Sequence, residues 1–76
     1  MTTANIKSGT VEIVRYFGEQ RKRIIAATCE DTPEAIEKAL GVDPARYRYG
    51  AYWIEHSDGS VMDLVTWQAQ RRRGEI

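Results

Sequence analysis

The chain has 76 residues, and its eleven Lys and Arg balance its eleven Asp and Glu, so the formal net charge at neutral pH is zero. That balance leaves no global field to draw it to nucleic acid or an anionic membrane, and no apolar run approaches the ~18 residues of a membrane span. A single cysteine and a single histidine exclude an internal disulfide and an ordinary structural zinc site.

In chain order, residues 1–8 read as a disordered N-terminal segment, polar and without the basic and apolar regions of a signal peptide. The domain is expected over 9–70. Thr10 to Phe17 and Arg23 to Cys29 are rich in β-branched and aromatic residues and flank the polar run Gly18 to Lys22, which predicts a first hairpin.

Glu30-Asp31-Thr32-Pro33-Glu34 is a helix start: Thr32 can cap, Pro33 suits the first helical position, and Glu34 complements the positive end of the dipole. The helix is expected to end at Leu40, with Gly41 as a left-handed cap and Ala35, Ile36, Ala39 and Leu40 as its buried stripe. Eight residues are too few for a helix to be stable alone, so it must lie on a sheet. Val42 to Arg46 reads as a loop turning at Asp43-Pro44.

The strongest local signal is Tyr49 to Trp67. Ala51 to Glu55 and Val61 to Trp67 read as two strands around Ser57-Asp58-Gly59-Ser60. A two-residue Asp58-Gly59 loop would set Ile54 opposite Asp63, a carboxylate on an apolar face. A three-residue loop with Gly59 left-handed sets Ile54 opposite Met62 and Tyr52 opposite Leu64, which gives a clean apolar face. A helical reading of the second half competes, with Ser60 and Asp63 resembling a capping box, Val61, Leu64, Val65 and Ala69 as the stripe, and Gly74 as the stop. The turn and the β-branched content favour strand to about Trp67, with a helical turn or frayed segment after it and a basic tail over 71–76.

The expected fold is therefore α+β, ββαββ: a four-stranded antiparallel sheet with one short helix on one face, and Ile13, Ile25, Ile36, Leu40, Tyr52, Ile54 and Leu64 in the core. One short helix leaves the other sheet face uncovered. There the register would align Tyr49, Trp53, Val65 and Trp67 as an aromatic patch, a size of apolar surface that marks an interaction site or a homodimer contact.

No catalytic constellation is legible. Cys29 and His56 could form a thiol dyad only if they converged, and Cys29 reads as a small buried thiol in an apolar strand. No metal-ligand spacing and no phosphate loop is present, so no catalytic residue, metal or cofactor is expected. Basic residues fall into three groups: Arg21, Lys22 and Arg23; Arg46 and Arg48; Arg71, Arg72 and Arg73. They could rim an aromatic protein interface as hot spots or, interleaved with Tyr47, Tyr49, Tyr52 and Trp53, track phosphates and stack bases, so a small DNA- or RNA-binding protein is the alternative. The acidic run Glu30, Asp31, Glu34, Glu37 and Asp43 opposes nucleic acid, and a compact acidic face can mimic nucleic acid or meet a basic groove.

In length, in its single short helix on a four-stranded antiparallel sheet, and in its lone cysteine, the chain resembles the small phage-encoded inhibitors of bacterial defence, anti-CRISPR proteins in particular. The resemblance rests on layout and carries over no functional residue. It implies a non-catalytic, stoichiometric inhibitor that binds a protein partner such as a CRISPR effector subunit and blocks target DNA; the expected setting, the cytoplasm of a bacterium or phage-infected cell, follows from the lone cysteine and the N-terminal composition.

Overall fold

The computed structural model describes residues 9–48 and 51–76. Seven elements follow in order: β1 Thr10–Phe17, β2 Lys22–Glu30, α1 Pro33–Val42, α2 Pro44–Arg48, β3 Tyr52–His56, β4 Val61–Asp63 and α3 Leu64–Arg72. The four strands form one antiparallel sheet in the order β2-β1-β3-β4, so the first strand of the chain lies at its centre. The α+β architecture is the expected one, with more helix than the sequence suggested.

The second hairpin adopts the three-residue loop. Ile54 pairs with Met62 and Glu55 with Val61, the His56 amide donates to the Ser60 carbonyl at 2.9 Å, and Gly59 has φ 93°. The strand then stops at Asp63. Its side chain accepts from the Thr66 amide at 3.2 Å and caps α3. At the far end Gly74, with φ 77°, closes a Schellman motif through Gly74 N–H to Arg71 O and Glu75 N–H to Gln70 O. The helical alternative therefore holds from Leu64 onward, with Asp63 rather than Ser60 as the cap. Arg71 and Arg72 belong to α3 and not to a tail.

The physical reason is coverage. Four strands span about 14 Å at their ordinary spacing, and a helix is only about 10 Å wide. α1 packs over β2, while α3 packs over β3 and β4 and buries Leu64 and Trp67. Both helices lie on the same sheet face, where Val11, Ile13, Ile36, Leu40, Tyr47, Tyr52, Ile54, Leu64 and Trp67 form one core.

Two smaller expectations around α1 also change. The helix continues through Gly41 to Val42 and is capped at Asp43, because the residue before Pro44 is the one forced out of helical geometry. Pro44 then opens α2 where a loop was expected, and this turn of helix seats Tyr47 edge-to-face on Tyr52 at 4.9 Å between centroids.

Ile25 is not in the core. A bulge between Ile13 and Val14 shifts the β1–β2 register, so that Ile13 faces Ala27 while Val14 faces Ile25. Without it Ile25 would sit on the helix side; with it the side chain turns to the opposite face and is 48% exposed.

Candidate interaction surface

The helix-free face of the sheet presents Glu12, Val14 and Tyr16 from β1, Arg23, Ile25 and Thr28 from β2, Trp53 and Glu55 from β3, and Val61 and Asp63 from β4, as the registers require. At its centre Glu12 and Glu55 are cross-strand neighbours, an arrangement that repels unless a cation lies between them. Arg23 supplies it. Its Nε and Nη2 donate to Glu55 Oε1 at 3.0 and 2.6 Å, and Nη2 also donates to Glu12. Tyr16 donates its hydroxyl to the other oxygen of Glu55. Glu55 is buried although no helix covers it.

The network shifts both of its proton donors. The hydrogen bond to Glu55, burial and the charge of Glu55 together raise the Tyr16 phenol above its ordinary value. Burial disfavours the charged form of Arg23, but the hydrogen bonds to Glu12 and Glu55 outweigh it and push the guanidinium up. Among the described residues no buried side-chain nitrogen or oxygen lacks a partner.

Around this centre lie exposed apolar groups: Trp53 at 36%, Ile25 at 48% and Val61 at 52%. Val14 is fully buried beneath them. By register Glu30 and Asp63 share the face, but only Glu12 and Glu55 bond the guanidinium of Arg23, Glu30 lying at the far end of β2 and Asp63 capping α3. Arg21 leans over the Tyr16 ring at one end, 5.4 Å from its centroid.

The expected aromatic patch does not form. Tyr49 lies outside the described residues. Trp53 is where the register put it, but Trp67 is in the core beside Ile36 and Leu40, and Val65, 72% exposed, is on α3 on the helix side. Both are carried there by the switch from strand to helix at Leu64. The arginines likewise do not rim Trp53 as a group. Arg23 is engaged within the carboxylate network, Arg71 reaches Glu37 and Glu34 on α1 at 3.4 and 3.9 Å, Arg73 pairs with Glu75 at 2.9 Å, and Arg46 stands 3.9 Å from Asp43. Lys22 is at the hairpin turn, Arg48 ends α2 and Arg72 ends α3.

Cys29 and His56 each pair with Val11 from opposite sides of β1, roughly 10 Å apart across two strand spacings. They form no dyad. His56 Nδ1 instead lies 3.0 Å from Asp31 Oδ1, and burial, reinforced by Asp31 and Glu30, raises the Cys29 thiol. No group of three metal-ligating side chains occurs among the described residues, and no helix among them is long and apolar enough to cross a membrane.

Sequence reasoning missed Glu12, Tyr16 and Glu55. Their only sequence signal is one acid in each of two apolar strands, and it becomes informative only once β1 and β3 are neighbours. Comparison of the chain with protein-family models, with curated proteins and with solved structures finds no match in any of the three.

Proposed function

We propose that the protein is a binding module that acts by covering a basic, nucleic-acid-engaging surface of a partner protein with its helix-free sheet face. What supports this reading is the composition of that face: exposed Trp53, Ile25 and Val61 around Glu12 and Glu55, two carboxylates held by the single cation Arg23. Apolar anchors supply affinity at an interface core, and an acidic surface is complementary to the groove through which a partner holds phosphates. The resemblance to phage-encoded inhibitors, which persists in length and in the four-stranded antiparallel sheet although three helices replace the single one expected, makes bacterial nucleic-acid-targeting complexes, CRISPR effectors among them, the first partners to test.

Direct binding of DNA or RNA has less support, because Arg23, Arg71 and Arg73 already have carboxylate partners. The test is a titration of the chain into purified CRISPR effector complexes, with target-DNA binding as the readout. Inhibition by the parent chain that is lost in Trp53→Ala and in Val61→Lys is the expected result. Inhibition indifferent to both substitutions, or tight binding to bare oligonucleotides, overturns the reading.

A further inference from the structure

A second surface lies at the opposite side of α1, and its geometry is that of a strand-addition site. Four consecutive residues of β2, Ala26, Ala27, Thr28 and Cys29, line one wall of a groove of about 390 Å³. Ala26, Ala27 and Cys29 pack toward the helix side, the bulge at Ala26 having broken the alternation, whereas Thr28 points to the opposite face, so a cavity that touches Thr28 as well reaches the strand's edge. β2 ends the strand order, and among the described residues its outer edge pairs with no strand. The facing wall is one stripe of α1, Ala35, Lys38, Ala39 and Val42, spaced as i, i+3, i+4 and i+7. Tyr47 also lines the groove, while Val42 at its end is 82% exposed.

We infer that this groove binds an extended peptide segment of a partner protein, which adds as a fifth strand to the outer edge of β2. Strand addition takes its affinity from main-chain hydrogen bonds and its specificity from pockets for alternate side chains. The alanines leave room for small β-branched side chains directed at α1. Charge selects the rest. The lining holds Lys38 and Arg46 against Asp43, and Asp43 lies 3.9 Å from Arg46, which leaves Lys38 for a carboxylate of the peptide. The occupant is therefore an apolar, β-branched segment bearing an acidic residue. The bulge at Ala26 confines regular pairing to Ala27 through Glu30.

The site shares only Thr28 with the helix-free sheet face and is tested separately, with the synthetic peptide Thr-Val-Thr-Val-Thr-Val-Asp as probe. Amide shifts of the labelled protein are followed during titration with the peptide, and with two derivatives N-methylated either at every Val or at every Thr. Saturable shifts confined to Ala26 to Glu30 and to α1 are expected, with binding retained by one derivative and lost by the other. Lys38→Glu, an exposed change that leaves the fold intact, weakens the parent peptide about tenfold. Ala39→Leu, which fills the groove, abolishes binding. The inference is overturned by the absence of saturable shifts at millimolar peptide, by equal binding of the two N-methylated forms, or by shifts centred on Trp53 and Val61.

Discussion

Trp53 and Trp67 are one side chain in two environments, and the difference is measurable. Trp67 is 5% exposed in the core and Trp53 is 36% exposed on the helix-free face. Removing a buried tryptophan costs about 3–5 kcal/mol, comparable to the whole stability of a small domain. Trp67→Ala is expected to unfold the chain or to lower its urea midpoint severely, whereas Trp53→Ala stays within about 1 kcal/mol of the parent. Equal losses in urea denaturation would show that the two faces are packed alike. Arg23 is the other critical side chain. Arg23→Ala leaves Glu12 and Glu55 facing each other uncompensated, and because the Arg23 side chain is 25% exposed the cost falls below that of a fully buried pair, at about 2 kcal/mol. The Tyr16 phenol gives a pH signature. Its folded-state value is raised above the ordinary 10.0, so its contribution to stability is complete below pH 10 and lost as pH rises through the folded value. Of the four tyrosines, Tyr16 is expected to ionise late in an ultraviolet titration, and Tyr16→Phe to flatten the alkaline fall in stability. An unchanged alkaline limb in Tyr16→Phe would place that fall elsewhere.

At the scale of the element, the boundary between β4 and α3 is the decisive feature, and a helix cap sets it. Ser60 is occupied in the hairpin turn, where its amide and hydroxyl both donate to Asp58 Oδ1 at 2.8 and 2.7 Å. Those bonds hold the Asp58 carboxyl below its usual range. Asp63 is left to cap α3, and its bond from Thr66 lowers its own carboxyl likewise. Asp63→Ala is therefore expected to reduce the helical circular dichroism signal, and Ser60→Ala to leave it unchanged. Because the Asp63 value is depressed in the folded state, its contribution is present above the unfolded carboxyl value and lost as pH falls through the folded one. The left-handed position of Gly74 gives a companion test: Gly74→Ala costs about 1 kcal/mol through the positive φ, read by thermal denaturation.

At the scale of the molecule, zero formal charge conceals an uneven distribution. The acids Glu12, Glu30, Glu55 and Asp63 share one sheet face, while several arginines elsewhere are neutralised by carboxylates. Association with a basic partner should weaken as salt rises, through a slower on-rate. The isolated chain should show only weak, salt-sensitive binding to oligonucleotides. A steep salt slope for tight oligonucleotide binding would instead assign the free ends of Lys22, Arg48 and Arg72 to phosphate contacts.

What the sequence determined by itself is the set of features whose causes lie within a few residues of one another. The strands of the first hairpin, the Thr32 cap and Pro33 that start α1, and the Gly59 loop that sets Ile54 opposite Met62 are all local chemistry, and the folded chain carries each of them. The tertiary structure decided the rest. Leu64 to Trp67 had both a strand pattern and helix signals, and the need to cover the β3–β4 half of the sheet chose the helix, taking Trp67 inward. The bulge at Ala26 turned Ile25 outward against its alternation. The pairing of β1 with β3, strands distant in the chain, brought Glu12 beside Glu55 and gave Arg23 two carboxylates to hold. Those outcomes depend on which surfaces meet across the chain, and no local propensity encodes that.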